Sequence, residues 1–221
     1  MNKKKQPNEM KRRMFLQKTS AFAATAMFLP VGGLELFSIS NANIQTNSIP
    51  TVTLNNGIEM PMLGFGTNTL HGSTCVECVV NAISVGYRLV DTANIYGNEE
   101  FVGKGISKGG IKREELFITS KLWVDDAGYE STKKAFQTSL DKLGIDYLDL
   151  YLIHRPRGDV KGSWKAMEEL YNEGKIRAIG VSNFDSNQLD DLMSYAAIKP
   201  VINQIETNVL WSKTARQVAA C

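Results

Sequence analysis

Residues 86–105, GYRLVDTANIYGNEEFVGKG, decide how the rest of the chain is interpreted. The apolar run from Tyr87 to Val90 predicts a short β-strand, and a helix is predicted to begin near Asn98. Asp91 comes directly after this strand, and Tyr96 lies in the polar loop that follows. Active-site groups favour loops held by a rigid scaffold, so both residues are candidates for catalysis. The alternative is that Asp91 caps the loop and Tyr96 is an ordinary surface residue.

From Ile49 onward the chain alternates predicted strands and helices. Asn55-Asn56-Gly57 separates two alternating segments, residues 51–54 and 59–62, and predicts a β-hairpin. Further strands are predicted over residues 63–66, 87–90, 116–120, 148–153, 178–181 and 201–205, and helices over residues 74–85, 130–143, 163–173 and 186–196. Alternation of strand and helix at roughly thirty residues per unit predicts a parallel α/β fold, either a closed (β/α)8 TIM barrel or an open doubly wound sheet.

Polar residues recur where the predicted strands end. An open dinucleotide-binding sheet usually carries Gly-x-Gly-x-x-Gly after its first strand, and the segment from Gly64 to Thr69 lacks the third glycine. The polar residues at the strand ends are Thr67, Asp91, Lys121, His154, Ser182 with Asn183, and Gln204. Such side chains would converge at the C-terminal mouth of a barrel, where barrel enzymes place their active sites.

Each of these residues also has a structural interpretation. Lys121 could be a surface lysine, His154 a packing residue, and Asn183 and Gln204 caps or turn groups. A buried amide needs hydrogen-bond partners, however, and a cofactor amide is one candidate. His71 lies in a glycine- and serine-containing loop and is predicted to be solvated. No cluster of His, Cys and carboxylates has ligand spacing, so no metal is predicted.

Five ordered segments resemble the aldo-keto reductases, which are NADPH-dependent (β/α)8 barrels, and in particular the short bacterial members of the diketogluconate reductase kind. The segments are Gly86 to Glu99, Ser120 to Trp123, Leu148 to His154, Gly180 to Phe184 and Asn203-Gln204. The resemblance implies reduction of an aldehyde or ketone with NADPH, or alternatively NADH. It implies that Tyr96, Lys121, Asp91 and His154 are catalytic, and that Thr67, Ser182, Asn183 and Gln204 contact the cofactor.

The chemistry of carbonyl reduction agrees with these residue types. The cofactor supplies a hydride, so the protein must supply a proton to the oxygen. Tyr96 is the expected donor, and we expect the ammonium of Lys121 to lower its pKa from near 10 by roughly 1–3 units. Asp91 is expected to pair with Lys121 and limit the cost of burying it. His154 is expected to orient the substrate oxygen.

The predicted substrate pocket is partly polar. Arg155 and Asn68 stand where many relatives of this family have Trp, whereas Trp123 remains as an aromatic wall. These residues shift the expected substrate toward a polar or anionic small-molecule carbonyl compound, such as a sugar acid. The alternative is that Arg155, which precedes Pro156, points to solvent.

The N-terminus has the composition of an export signal over residues 1–42. Its basic residues Lys3, Lys4, Lys5, Lys11, Arg12, Arg13 and Lys18 precede a mostly apolar run over residues 20–34 and then Ser40-Asn41-Ala42. The paired arginines resemble the twin-arginine signal, although Lys11 occupies the place of a small polar residue. We expect export to the periplasm, or a cytoplasmic protein if the signal is unused.

A membrane anchor is the alternative interpretation of this N-terminus. Pro30, Gly32 and Gly33 interrupt the apolar run before the ~20 residues that a spanning helix needs, so no stable membrane span is predicted. The formal net charge is +2, and the excess of base lies at the extreme N-terminus, so no nucleic acid partner is predicted.

Residues 43–221 are predicted to form a partial barrel. About six strand-helix units are present, whereas a closed barrel has eight and typically ~250 residues. A last helical segment is predicted from Lys213 to Cys221. We therefore expect a truncated chain that lacks strands seven and eight and the loop that binds the 2′-phosphate in this family. Such a chain is either a reductase or a non-catalytic remnant or binding module, and a complete barrel is expected to be a monomer.

Overall fold

The computed structural model describes residues 49–206, which form a hairpin followed by alternating strands and helices. The strands are β1 (Thr51–Thr53), β2 (Glu59–Pro61), β3 (Gly64–Gly66), β4 (Leu89–Asp91), β5 (Phe117–Leu122), β6 (Leu150–Ile153), β7 (Ile179–Ser182) and β8 (Asn203–Gln204). The helices are α1 (Gly72–Ser84), α2 (Glu99–Lys108), α3 (Tyr129–Leu143), α4 (Val160–Asn172) and α5 (Ser186–Tyr195). The predicted export signal and the predicted helix from Lys213 lie outside the described residues.

Several predicted boundaries move. Strand β5 continues to Leu122, so Lys121 lies inside the strand and not after it. Strand β6 begins at Leu150, two residues later than predicted. Tyr96 ends a 3-10 turn over Asn94–Tyr96, where a loop was predicted. Because successive strand residues point to opposite faces, the extension of β5 fixes the face of the sheet that Lys121 occupies.

The sheet is a curled half-barrel. Strands β3 to β8 pair in parallel and in chain order, while β1 and β2 pair antiparallel as the separate hairpin. The side-chain amide of Gln204 on β8 donates a hydrogen bond of 3.1 Å to Asp91 on β4. Those strands are four neighbours apart, which is about 19 Å in a flat sheet, so the sheet must curve to bring them together. The predicted hairpin and the six parallel strands are confirmed.

Apolar side chains pack on both faces of this sheet. The inner cluster consists of Leu54, Leu89, Phe117, Leu150, Leu152 and Ala178. The larger outer cluster joins the sheet to the helices, with Val90, Ile118 and Tyr151 on the strands. The hairpin is tied to the loops before β7 and β8, because the side chains of Asn55 and Asn56 donate to the carbonyls of Pro200 and Arg177. Burial on both faces explains the nearly continuous apolar strands.

Helix α2 packs closely against the end of α3 through Gly103. A Cβ at this position would lie 2.3 Å from the backbone oxygen of Leu143, which cannot move as a flexible side chain can. We expect Gly103→Ala to lower the free energy of unfolding by about 1–3 kcal/mol, measured by urea denaturation, because overpacking outweighs the gain in helix propensity. Ser107→Ala changes an exposed residue of the same helix and is the control. Equal stabilities of the two variants would contradict this account.

Candidate active site

The carboxyl ends of the parallel strands surround a cavity of about 880 Å³. Most of the predicted site residues line it, namely Asn68, Asp91, Tyr96, Trp123, His154, Arg155, Ser182, Asn183 and Gln204. Residues that the sequence interpretation missed also line it: Thr69, Ile95, Ile205 and Glu206. His71, predicted to be solvated, is exposed and lies on the same cavity. The sequence signal for Glu206 is that a carboxylate follows the predicted site residue Gln204 by two residues.

Lys121 is directed toward the site by the pleat of β5. Its register partner on β6 is Leu152, which packs in the inner cluster, so Lys121 occupies the inner face of the sheet. The side chain is 1% exposed, and its ammonium donates to Asp91 Oδ1 at 2.5 Å and to the carbonyl of Thr92 at 3.0 Å. Burial lowers the pKa of Lys121, while the charge and hydrogen bond of Asp91 oppose that shift. The expected Lys121–Asp91 pair is present.

Tyr96 lies close to both the ammonium of Lys121 and the ring of His154. The Lys121 ammonium is 5.2 Å from the centroid of the Tyr96 ring, and the Tyr96 and His154 ring centroids are 5.8 Å apart in an edge-on arrangement. The pKa of Tyr96 is raised to about 12, mainly by burial and also by the charge of Asp91, while Arg155 opposes the shift. The expectation that Lys121 lowers this pKa is therefore wrong for the cofactor-free site. Burial is the largest cause of the raised pKa.

Asn98 connects the segment that carries Tyr96 to two neighbouring strands. Its side-chain oxygen accepts from the hydroxyl of Thr92 at 3.0 Å, and its amide donates to the carbonyls of Thr67 and Leu70 at 2.7 and 2.9 Å. Asn98 and Thr92 are both fully buried, so these bonds are shielded from water. The sequence indicated Asn98 only as the start of a helix. Its partners lie up to 31 residues away and carry no local signal.

His154 follows β6 and forms one wall of the cavity. Its backbone amide donates to the carbonyl of Leu122 at 3.1 Å, and the ring of Trp123 lies edge-on at 5.2 Å. The side chain is 8% exposed. Burial, with the charges of Lys121 and Arg155, lowers the pKa of His154 to about 4. The imidazole is therefore neutral at pH 7 and can donate one hydrogen bond.

The lowered pKa of His154 makes stability depend on pH. Between pH 6.5 and about 4 the unfolded chain binds a proton that the folded chain does not, so stability is lost as the pH falls through this window. We expect the histidine to account for a loss of roughly 2 kcal/mol between pH 7.5 and pH 5. Urea unfolding at both pH values should show this loss in the parent and in His71→Gln, but a smaller loss in His154→Gln. An equal pH dependence in all three proteins would contradict the assignment.

Ser182, Asn183 and Gln204 present a hydroxyl and two amides to the cavity. Asn183 has a left-handed backbone with φ of 60°, and its amide donates to the Ser182 hydroxyl at 2.8 Å. The amide of Gln204 donates to Asp91 Oδ2 at 3.1 Å. This donor and acceptor set fits a carboxamide group such as that of a nicotinamide.

Thr67 joins the end of β3 to the end of β4. It is fully buried, and both its backbone amide and its hydroxyl donate to the carbonyl oxygen of Asp91, at 3.0 and 3.1 Å. The side chain is not part of the cavity wall. The Thr67 side chain thus holds the end of β4 in place, and its contact with the cofactor stays a prediction.

Residues 49–206 contain neither a metal-binding cluster nor a helix able to span a membrane. No three side chains of His, Cys, Asp or Glu come together there in a way that could hold a metal ion. None of the helices in this part of the chain has the length and apolar character needed to cross a bilayer.

Comparison with known proteins gives consistent matches. The sequence model of the Aldo/keto reductase family matches residues 62–221, which is more than half of the chain. An uncharacterized oxidoreductase of Bacillus subtilis, YtbE, is 59% identical over 160 residues, covering 70% of this chain and 57% of the relative. A glyoxal reductase of the same organism is 56% identical over 158 residues, covering 71% of this chain and 57% of the relative. The chain thus spans a little over half the length of these relatives.

Solved structures show the same similarity in three dimensions. An aldo/keto reductase of Brucella melitensis matches with a TM-score of 0.74 at 46% identity, covering 77% of this chain and 66% of that structure. An aldo-keto reductase of Bombyx mori in complex with NADP matches with a TM-score of 0.69 at 39% identity, covering 78% and 64%. The six-stranded sheet therefore corresponds to part of a TIM barrel of this type. The family match and the half-barrel together show that the chain belongs to the aldo/keto reductase family.

Proposed function

We propose that this protein reduces a small aldehyde or ketone to an alcohol with NADPH, using Tyr96 as the proton donor. The observation that carries the proposal is the buried Lys121–Asp91 pair beside Tyr96, with His154 on the wall of the same cavity. A Bacillus subtilis relative is a glyoxal reductase, and a structural relative holds NADP, which supports a carbonyl substrate and this cofactor. NADH is the alternative cofactor.

Three residues would hold the nicotinamide. The hydroxyl of Ser182 and the amides of Asn183 and Gln204 can pair with both ends of a carboxamide. The left-handed backbone of Asn183 directs its side chain toward Ser182 and His154, where it donates at 2.8 and 3.4 Å. When bound, a reduced nicotinamide supplies the hydride that the protein lacks.

The protein's own residues would manage the proton. Because its pKa is about 12, Tyr96 keeps its proton at neutral pH and can release it only as negative charge develops on the substrate oxygen. Lys121, 5.2 Å from the Tyr96 ring, would stabilise the phenolate as it forms. Neutral His154 would donate a hydrogen bond to the same oxygen. Asp91 would hold Lys121 in place through the 2.5 Å contact.

NADPH oxidation by the purified full chain tests the proposal. We expect absorbance at the nicotinamide band to fall when a panel of small aldehydes is added, and NADPH to quench or enhance protein fluorescence on binding. Lys121→Met should bind NADPH but oxidise it far more slowly. Failure of the parent chain to bind NADPH would reject the proposal and favour a non-catalytic remnant or binding module.

We also propose that residues 1–42 direct export through a twin-arginine route. The support is the order of basic residues, apolar run and small residues in that segment. In cell fractionation, the parent should appear in the periplasm, and replacement of Arg12 and Arg13 by Lys should retain the protein in the cytoplasm. Identical distributions would reject the proposed route.

A further inference from the structure

Arg155 lies on the cavity wall beside the residues proposed to act on the carbonyl oxygen. It lines the cavity together with Tyr96 and Trp123 and is half-buried. Its backbone is held on both sides, because the amide of His154 donates to Leu122 and the amide of Arg157 donates to the Arg155 carbonyl at 2.8 Å. The backbone that carries the guanidinium is therefore held in place at the cavity wall.

The guanidinium of Arg155 is a positive charge on the cavity wall. Within residues 49–206, no Asp or Glu forms an ion pair with it, whereas Lys121 pairs with Asp91 in the same site. Glu206 lines the cavity but forms no ion pair with Arg155. The positive charge of Arg155 acts electrostatically on Tyr96 and His154, because it lowers the pKa of both. An unpaired cation in a partly enclosed cavity favours an anionic ligand.

We propose that Arg155 binds a carboxylate of the substrate, so that this chain prefers short carbonyl compounds with a carboxylate a few bonds from the carbonyl carbon. This inference rests on the proposed function, since the same cavity would hold the carbonyl group near Tyr96 and His154. A guanidinium presents two parallel N–H groups that match the two carboxylate oxygens, which a neutral substrate of equal length cannot use. Asn68, exposed on the same cavity, provides an amide for a further substrate oxygen.

A matched pair of aldehydes tests the preference. Succinic semialdehyde and butanal have the same number of carbons, and only the first carries a carboxylate. We expect Arg155→Gln to lower the ratio of their kcat/KM values by about 10- to 100-fold, mainly through KM of the semialdehyde, because a charge-assisted bidentate contact is lost. Arg155→Lys should retain part of the ratio. Arg157→Gln removes an exposed cation outside the cavity and should leave the ratio unchanged. An unchanged ratio in Arg155→Gln would overturn the inference.

A binding measurement separates this inference from the proposed function. Succinate and neutral succinamide are titrated into the full chain by calorimetry, without any reaction. We expect the parent to bind succinate more tightly than succinamide. Arg155→Gln should bind succinate at least about tenfold more weakly than the parent does, whereas its affinity for succinamide should change little. If the parent showed this binding pattern but did not oxidise NADPH with any aldehyde, the reductase function alone would be rejected. Equal binding of succinate by parent and variant would reject the carboxylate site alone, even if butanal is reduced.

Discussion

Tyr96→Phe should lower kcat for aldehyde reduction by about 10²- to 10⁴-fold, the usual contribution of a positioned proton donor. The change removes one oxygen atom and keeps the ring that faces His154 and Lys121. Among residues 49–206, the Tyr96 hydroxyl has no hydrogen-bond partner, so its removal should not disturb the folded structure. The loss should therefore appear in kcat and not in cofactor affinity.

Steady-state kinetics and NADPH titration by fluorescence check this expectation. Tyr171→Phe is the matched control, because it removes the same oxygen from a half-buried tyrosine on α4, away from the cavity. If Tyr96→Phe retained more than about a tenth of the parent kcat, another group would have to supply the proton. His154 would then be the nearest candidate, since its ring lies 5.8 Å from that of Tyr96.

The fold and much of the site could be predicted because parallel strands impose simple geometry. Their carboxyl ends meet at one edge, so Asp91, Lys121 and His154 could be placed together from their positions along the chain. The structure shows Lys121 inside β5, but on the face that the pleat directs toward the site. A polar residue at a strand end is thus a useful signal when the neighbouring strands carry similar ones.

Other features depend on contacts that the local sequence does not reveal. Thr67 also follows a strand, yet its hydroxyl donates to the Asp91 carbonyl, a partner that its position along the chain does not indicate. The pKa of Tyr96 depends on burial and on the opposing charges of Asp91 and Arg155, which pattern and spacing do not express. The partners of Asn98 are set by the packing of α2 against the ends of β3 and β4.

Asp149 is the strongest example of a role hidden in the sequence. It interrupts the apolar run before β6, at the end of the strand opposite to the cavity, and its side chain is completely buried. Oδ2 forms an ion pair with Arg113 at 2.7 Å and accepts from the backbone amide of Ile118 at 2.8 Å, while Oδ1 accepts from Arg177 at 2.5 Å. The two arginines come from distant parts of the chain. A buried carboxylate at this end of a barrel strand is expected to serve stability.

We expect Asp149→Asn to lower the free energy of unfolding by about 3–5 kcal/mol, because it leaves buried donors facing an amide that can accept at only one atom. Urea denaturation at pH 7.5 measures the change, and Asp146→Asn, at an exposed position three residues earlier, should stay within about 0.5 kcal/mol of the parent.

Arg177 is about half exposed and can recover water, whereas Arg113 is mostly buried and cannot. Most of the loss should therefore disappear when Arg113→Met is combined with Asp149→Asn. If the double variant were as unstable as the sum of the single variants, the charge of Arg113 would not be the cause.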